Sequence, residues 1–280
     1  MTLATTTRDF LAPAIRRPAH RPAGVPAGGP ALLGAATLVA LIGVWFAATR
    51  LGWATPLFLP SPSQVLDQFT VVAKDGYAEG TLATHTLASL GRIAAALAAG
   101  LLIGVPLGLL MGLNRWVNSV FRVPIDLYWG LPPLAYLPLL IIWLGIGETS
   151  KILLLSLSTF APICFSAQAG VRSVPVERIN AALSLGASRL QLFFSIILPS
   201  ALPEILTGLR IAIGAGLSTL VAAELIAARS GLGYMIMSAA QFLATDVVFV
   251  GLIVIAALAF SFSAGMRLLE RRLVPWKGKL

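Results

Sequence analysis

Ionisable side chains within long apolar stretches are the first residues of this chain that could do chemistry. Arg92, Asp126 and Glu224 are such residues. A charge in a membrane-like stretch is unfavourable and is therefore a functional candidate by default. Two interpretations stay open for Arg92 and Glu224. Either they line a pathway through the membrane, or Glu224 lies near the outer interface and Arg92 extends toward the lipid headgroups.

A second candidate is the polar segment 172–203, which separates two apolar stretches. Its residues 180–199 read NAALSLGASRLQLFFSIILP. They predict a helix over Glu177–Leu185, a stop at Gly186 in the left-handed conformation, and a second helix over Ser188–Ile197 that the following proline closes. Apolar side chains that an isolated loop does not need predict that this segment docks on another molecule. Those side chains are Leu183, Leu185, Leu190 and Phe193 or Phe194.

Several catalytic chemistries are excluded by what the sequence lacks. No lysine stands in a G-x-x-x-x-G-K-[ST] pattern, so the chain is predicted not to hydrolyse ATP by a phosphate-cradling loop. His20 and His85 belong to no H-E-x-x-H motif, and Cys164 is the only cysteine. We therefore expect no metal site, no internal disulfide and no enzymatic activity in this chain.

The elements that position these residues follow from composition. Hydrophobic residues make up 58% of the chain and charged residues 11%, whereas soluble domains are roughly 45–50% apolar and about 25% charged. Apolar stretches near the ~20 residues that cross a bilayer as a helix recur along the chain. The predicted fold is an all-α membrane protein with six transmembrane helices. These spans are expected at about 31–50, 84–112, 119–146, 151–171, 204–228 and 246–268.

The Lys and Arg residues predict the orientation of these helices. Most lie in the N-terminal tail, near 115–122 and 172–210, and at the C-terminus. Because short cytoplasmic loops are enriched in Lys and Arg, both termini are predicted to be cytoplasmic. The net charge of +9 is then an orientation signal, and no nucleic-acid partner is expected. Residues 1–30, rich in proline, are predicted to form a disordered cytoplasmic tail.

Two patterns predict packing rather than chemistry. Gly100, Gly104, Gly108 and Gly112 share one face of the second span, where the missing side chains let another helix approach closely. Between the first two spans, residues 62–74 are predicted to form an interfacial helix. This helix is either a connector that lies on the headgroups or a docking site.

The third span, FRVPIDLYWGLPPLAYLPLLIIWLGIG, is rich in proline. Proline removes backbone hydrogen bonds, and in a membrane the freed carbonyl groups are tolerated where protein or a water-filled cavity receives them. Broken helices often line pathways; the alternative is a kinked helix with a structural role. The candidate pathway residues are Tyr128, Trp129, Pro132, Pro133 and Tyr136, together with Glu224 and Arg92.

Residues 180–199 resemble the EAA loop of ABC importer permeases, whose pattern is Glu-Ala-Ala, a nearby Gly, nine residues and Ile-x-Leu-Pro. The matching positions are Asn180, Ala181, Ala182, Gly186, Ile196, Leu198 and Pro199. The resemblance implies the type I importer architecture, with a coupling helix between helices 4 and 5 that fits a cleft on a cytoplasmic ATPase. Asn180 stands where the family usually has Glu, so a charged contact is not expected there. By the same resemblance the turn contributes Leu185, Ala187, Ser188 and Arg189.

Nearly all of the chain after residue 35 resembles the branch of this family that imports taurine, alkanesulfonates and nitrate, and is most similar to the permeases for taurine. The stretches that carry the resemblance are FLPSPSQV, PPLAYLPLLIIWLGIGETSK, PEILTGLRI, STLVAAELIAA, FLATDVV and RRLVPWKGK. It implies a multi-pass protein of the bacterial inner membrane that pairs with a second copy of itself, two ABC ATPase subunits and an extracytoplasmic substrate-binding protein. It also implies that ATP and Mg bind to the ATPase and that this chain binds no cofactor.

Other functions remain alternatives. Within the family, the chain could serve other alkanesulfonates or nitrate-like anions. An ion-coupled secondary transporter would usually show inverted repeats and an ion-binding site, and a membrane-embedded enzyme would need a nucleophile or metal constellation. The sequence displays neither pattern.

Overall fold

The computed structural model describes residues 29–276. The predicted tail over residues 1–30 lies outside these residues, apart from its last two. The described part of the chain is helical and contains no β-strand. Its α-helices are α1 (Gly29–Arg50), α2 (Pro62–Lys74), α3 (Leu82–Leu113), α4 (Arg115–Trp129), α5 (Leu137–Leu144), α6 (Glu148–Arg172), α7 (Val176–Ser184), α8 (Arg189–Leu192), α9 (Leu198–Ala227), α10 (Leu232–Gln241) and α11 (Thr245–Leu273). A 3₁₀ helix (Pro133–Tyr136) precedes α5, and a π-helix (Phe193–Ile197) precedes α9.

The helix α1 belongs to a unit that ends at Trp53, and the remaining helices belong to a second unit that begins at Ala54. The 22 residues of α1 extend about 33 Å at 1.5 Å per residue, which is enough to cross a hydrocarbon core of about 30 Å. At the end of α1 the Arg50 guanidinium lies 5.0 Å from the centre of the Phe46 ring. The described part of the first unit therefore contains a helix of membrane-spanning length.

Five of the described helices are long and apolar enough to cross a membrane. A sixth span results when α4 and the helical residues Pro133–Leu144 are counted together. The fold class predicted from the sequence, an all-α membrane protein with six spans, is confirmed.

The third predicted span is broken at its double proline. The helix α4 ends at Trp129, and the helical residues Pro133–Leu144 continue at 92° to it. Leu131 and Pro132 each precede a proline, which disfavours the helical conformation, and Pro132 and Pro133 have no backbone N–H to donate. A continuous helix over 119–146 therefore does not form.

The second helix of the polar segment is joined to the fifth span. An uninterrupted helical run from Arg189 to Ala227 contains α8, the π-helix and α9. The sequence predicts that Pro199 closes a separate helix. In the structure Pro199 lies instead in the first turn of α9. In the π turn before it, the Leu198 N–H donates to the Phe193 carbonyl oxygen. This wider turn admits a residue without an N–H, so the helix starts at Arg189 rather than near 204.

The helix α3 packs against α6 through the glycine face that the sequence singles out. A Cβ atom at Gly108 would overlap the Cys164 carbonyl oxygen, and one at Gly112 would lie 2.5 Å from Val171 Cβ. Closer to the N-terminal end of α3, on the same face, Thr159 Oγ1 donates to the Ala96 carbonyl oxygen at 3.2 Å. The absence of side chains on this face is what lets the two helix backbones approach.

A second close contact, which the sequence analysis does not single out, joins α6 to α9. A Cβ atom at Gly170 would lie 2.8 Å from the Ala201 carbonyl oxygen, and one at Gly208 would overlap the Ser166 side chain. The helix α6 is therefore held between α3 and α9, and these three helices form the centre of the second unit.

Gly108→Ala tests this packing. The added methyl group has no room at the α3–α6 contact, and overpacking of this kind costs about 1–3 kcal/mol. We expect a lower thermal unfolding midpoint for the purified protein in detergent. The matched control is Gly91→Ala on the same helix, where a Cβ atom meets nothing within 4 Å; there we expect no loss of stability. Equal midpoints for the two variants would contradict the close contact.

The helix α2 is fastened to the second unit on one side. A capping box at its start pairs Ser61 with Gln64: the Gln64 N–H donates to Ser61 Oγ, and the Ser61 N–H donates to Gln64 Oε1. Val72 is fully buried among residues of α3, α10 and α11, whereas Leu66 is 68% exposed. The interfacial helix predicted at 62–74 thus packs on protein along one face instead of lying only on headgroups.

Candidate functional site

The helix α7 ends in a Schellman motif at Gly186. Gly186 has φ of +79° and its N–H donates to the Leu183 carbonyl oxygen at 2.9 Å. The Ala187 N–H donates to the Ala182 carbonyl oxygen at 3.0 Å. Both bonds satisfy carbonyl groups at the helix end that have no partner within the helix. A residue with a Cβ atom is strained at this φ, so glycine fixes the direction in which the chain leaves α7.

The next helix, α8, begins immediately with a capping box. The Gln191 N–H donates to Ser188 Oγ at 3.3 Å, and the Ser188 N–H donates to Gln191 Oε1 at 2.8 Å. These bonds satisfy donors at the start of the helix. Gly186 and Ser188 are two positions apart, so backbone hydrogen bonds on one side and side-chain caps on the other specify the turn between α7 and α8.

Residues 176–203, called the coupling segment below, expose apolar side chains around this turn. Leu185 is 89% exposed and Leu190 is 70% exposed, and Leu183 and Phe194 are also exposed. Grouped exposed side chains of this size mark a surface that another molecule covers. The other exposed residues among the predicted contacts are Asn180, Ala181, Gly186, Ser188 and Arg189.

The remaining predicted residues of the coupling segment face the helical core. Ala182 is buried, and Ile196 and Leu198 pack on a cluster that joins α3, α6 and α9. Ala187 and Pro199 are half-buried. The residues matched to the EAA pattern are thus divided: one group forms the exposed surface, and the other attaches that surface to the spanning helices.

A second group of side chains, called the ionic cluster below, consists of Arg92, Glu148, Lys151 and Glu224. They come from α3, α6 and α9. Arg92 and Lys151 are each 3% exposed and Glu224 is 1% exposed, whereas the Glu148 side chain is 56% exposed. Glu148 is therefore the one member of the cluster that solvent reaches freely.

Arg92 is at the centre of the ionic cluster. Its Nε and Nη2 donate to the two carboxylate oxygens of Glu148 at 2.6 and 2.8 Å, and its Nη1 donates to Glu224 Oε1 at 2.5 Å. The contact with Glu148 is the two-pronged arrangement that a guanidinium makes with a planar anion. Lys151 Nζ donates to the same Glu148 at 2.6 Å. Two cations and two anions balance, so each of the buried charges has a partner of opposite sign, which is the condition for burying it.

The Glu224 carboxylate has further hydrogen bonds that hold it in place. Ser89 Oγ lies 2.8 and 2.9 Å from its two oxygens, and the Gly233 N–H donates to Oε2 at 2.9 Å. Ser89 Oγ itself accepts from the Leu232 N–H at 2.9 Å. Glu224 thus connects α3 and α9 to the start of α10.

The loop between α9 and α10 closes over the ionic cluster. Arg92 Nη1 donates to the Ser230 carbonyl oxygen at 2.8 Å, and the Gly231 N–H donates to His85 Nδ1 at 3.1 Å. His85 Nε2 lies 2.9 Å from the Tyr77 carbonyl oxygen, so the ring carries its proton on Nε2. Gly231 has φ of +121°, and a Cβ atom there would overlap the Glu224 carboxyl group.

The structure gives Arg92 and Glu224 specific partners within the protein. Arg92 does not extend toward headgroups, because all three of its nitrogens donate to groups of the protein. Glu224 is 1% exposed, and its carboxylate is bonded to Arg92 and Ser89. Within the described residues no group of three or more His, Cys, Asp and Glu side chains is placed to hold a metal ion.

The predicted pathway residues of the third span are not bonded to the ionic cluster, although Tyr136 packs on an apolar cluster that includes Ile93 and Ala223, the chain neighbours of Arg92 and Glu224. Tyr128 stacks on Phe160 with ring centres 6.4 Å apart, and Tyr136 packs on an apolar cluster that contains Leu137. Trp129 is 40% exposed. Pro132 and Pro133 stand at the break between the helices. In residues 29–276 no hydrogen bond or ion pair that involves these five residues leads to the cluster.

Asp126, the third ionisable candidate, forms a separate pair with Arg122. The two groups are 2.6 Å apart and each is about half exposed. Arg122 also donates to Gln168 Oε1 at 3.2 Å and lies 4.6 Å from the Phe165 ring centre. This pair fastens α4 to α6.

Sequence analysis does not predict most of the ionic cluster or the residues that form hydrogen bonds with it. The sequence analysis does not single out His85, Ser89, Glu148, Lys151 or Gly231 as members of a site, although Lys151 is buried in α6. The one local signal is the three-residue spacing of Glu148 and Lys151 in the first turn of that helix. Arg92 and Glu224 are 132 positions apart, and no local pattern pairs them.

Comparison with known families and proteins gives consistent results. The family described as "Binding-protein-dependent transport system inner membrane component" matches residues 104–275. The taurine transport system permease protein TauC of Escherichia coli (strain K12) is 54% identical over 89% of this chain and 90% of its own length. The putative aliphatic sulfonates transport permease protein SsuC of the same organism is 38% identical over 85% of this chain and 89% of its own.

Solved structures share the fold. A chain of the MetNI methionine ABC transporter in an inward-facing conformation matches 67% of this chain and 94% of its own, with a TM-score of 0.59 and 18% identity. A chain of an amino acid ABC transporter, crystallised with histidines, matches 74% of this chain and 96% of its own, with a TM-score of 0.57 and 22% identity. At these identities the likeness concerns the fold alone.

Proposed function

This chain belongs to the binding-protein-dependent transport system inner membrane components, the permease subunits of ABC importers, and from that premise we propose that it imports taurine. The identity of 54% over most of both chains to a permease named for taurine supports this substrate over others. Permeases for other aliphatic sulfonates are the alternative, and the lower identity of 38% to SsuC favours it less.

As an ABC importer permease in the inner membrane, the chain works with an ATPase and a substrate-binding protein. We propose further that two copies of it form the pathway and that each binds one ATPase subunit. ATP and Mg bind to the ATPase subunits, and this chain binds no cofactor. Both termini and the coupling segment lie on the cytoplasmic side, and the α9–α10 loop lies on the outer side.

The observation that carries the proposed coupling to the ATPase is the division of the coupling segment into an exposed part and a buried part. Its exposed residues around Leu185 offer an apolar surface to the ATPase, and its buried residues pack on α3, α6 and α9. When ATP brings the two ATPase subunits together, the surface moves with them. Because the buried residues are close-packed, the movement is transmitted to the spanning helices and changes which side of the membrane the pathway faces.

Leu185→Asp should prevent binding of the ATPase. An aspartate at the most exposed apolar position of the coupling segment would place a charge in the interface, and an unpaired buried charge is strongly unfavourable. We expect co-purification of the ATPase to be lost while the variant reaches the membrane in normal amounts. The matched control is Leu66→Asp in α2, where the leucine is 68% exposed on another surface; it should retain the ATPase.

The function itself is tested by uptake of labelled taurine into liposomes that contain this chain and its ATPase, with ATP inside and the binding protein outside. We expect uptake that requires all three proteins and ATP. ATP hydrolysis that the loaded binding protein stimulates, without uptake of taurine, would leave the family role intact and reject the substrate. Uptake of ethanesulfonate but not of taurine would favour the alternative.

A further inference from the structure

We propose that the ionic cluster is a binding site for a sulfonate group, in which Glu148 occupies the place of the ligand until the solute displaces it. The proposal rests on the proposed function, since it takes the solute to be a sulfonate. It assigns a role to four residues that the coupling mechanism does not use.

The geometry of the Glu148 contact is that of a bound anion. Two donors of Arg92 and the Lys151 ammonium converge on the Glu148 carboxylate within 2.8 Å. Ser230 Oγ, which lies 3.2 Å from Arg92 Nη2, is a further polar group at the same place. A sulfonate presents three oxygens and accepts the same bonds, with one oxygen left for Ser230. Guanidinium groups bind carboxylates, and tetrahedral oxyanions such as phosphate, through two parallel bonds.

The charges of the cluster favour an exchange of anions. Glu224 is buried and held by Ser89 and Gly233, so it remains with Arg92. If the Glu148 side chain turns away, Arg92, Lys151 and Glu224 leave one positive charge without a partner. The site then lies next to the first turn of α6, a helix of 25 residues whose N-terminal end also favours an anion.

Accessibility points to Glu148 as the group that is displaced. Its side chain is 56% exposed, whereas the two cations beneath it are each 3% exposed. A solute that arrives from solvent therefore meets the Glu148 carboxylate first and the cations only after that carboxylate moves. A displaced Glu148 stays beside the site, where it can accept a hydrogen bond from an ammonium group. A solute with both a sulfonate and an ammonium fits this arrangement better than a sulfonate alone.

Ligand-dependent unfolding tests the proposal without any transport. The full-length chain is purified in detergent, and its thermal unfolding is followed against increasing sodium ethanesulfonate, with sodium chloride at equal ionic strength as the reference. The variants are Glu148→Ala and Glu148→Gln, each with and without Lys151→Met. Both Glu148 variants remove the resident anion, and the glutamine keeps the size of the side chain in case the alanine variant does not fold.

We expect ethanesulfonate, but not chloride, to raise the unfolding midpoint of both Glu148 variants, with half-saturation at a concentration at least tenfold lower than in the unchanged protein. Adding Lys151→Met should abolish this effect. Equal midpoints in ethanesulfonate and chloride would overturn the proposal and leave Glu148 as a structural ion-pair partner. Stabilisation that survives Lys151→Met would overturn it too, because the anion would then bind elsewhere.

The result is independent of the uptake experiment. If the Glu148 variants do not bind ethanesulfonate and the unchanged protein still imports taurine, the site is wrong and the proposed function stands. If they bind it and the unchanged protein imports no taurine, the sulfonate site stands and the proposed substrate fails.

Discussion

Arg92→Met is expected to destabilise the protein by about 3–5 kcal/mol, the range for breaking a buried ion pair by removing one partner. The substitution leaves the Glu224 carboxylate, which is 1% exposed, without a cation. It also removes the bond to the Ser230 carbonyl oxygen that holds the α9–α10 loop. Since the free energy of unfolding of a folded domain is only about 5–15 kcal/mol, this loss is a large part of the total stability.

The measurement is the unfolding midpoint of the purified protein in detergent, together with its yield from membranes. The matched control is Arg122→Met, which removes a half-exposed arginine from a pair with Asp126; exposed pairs contribute about 0–1 kcal/mol. We expect the double variant Arg92→Met with Glu224→Met to recover part of the lost stability, because it leaves no unpaired buried carboxylate at that position and Lys151 still neutralises Glu148. Similar midpoints for the Arg92 and Arg122 variants would contradict a structural role of the ionic cluster.

Gly186→Val is expected to abolish taurine uptake while the protein still inserts into the membrane. Valine at φ of +79° is strained by about 1–3 kcal/mol, and the backbone relieves that strain by leaving the left-handed conformation. The two hydrogen bonds of the Schellman motif then break, and α7 no longer meets α8 at the present angle. The surface around Leu185 is displaced even though Leu185 itself has not changed.

The measurements are uptake into liposomes and ATP hydrolysis by the reconstituted complex. Gly52→Val is the matched control, because Gly52 has φ of +69° and, like Gly186, has no atom within 4 Å of an added Cβ. It carries the same local strain outside the coupling segment, so uptake should persist. Gly186→Asn should keep most of the uptake, since asparagine adopts the left-handed conformation more readily than other residues with a side chain. Full uptake by Gly186→Val would show that the turn does not determine coupling.

Local patterns in the sequence were sufficient to predict much of the structure of this molecule. The apolar stretches and their lengths predicted the helical membrane fold, and the spacing from Asn180 to Pro199 identified the coupling segment. The stop at Gly186 was predictable because a left-handed turn is a property of a few adjacent residues. The four-residue glycine spacing predicted a packing face on α3, because residues at that spacing always share one side of a helix.

Helix boundaries near proline were less predictable. Pro199 and Pro203 favour a break by their missing N–H groups, yet the helix continues from Arg189 to Ala227 through a π turn. At Pro132 and Pro133 the chain breaks completely and turns by 92°. Proline thus has different effects on the helix at the two places. The surrounding packing decides whether the helix continues without the lost hydrogen bond or ends there.

The sequence by itself determined the fold class, the family and the turn at Gly186, since each of these depends on residues that are close together in the chain. Only the tertiary structure decided the partners of Arg92 and Glu224, the burial of Lys151 and the exposed position of Glu148. An ion pair across 132 residues forms because three helices pack side by side. Its stability depends on the removal of water by that packing, which no local pattern of residue types records.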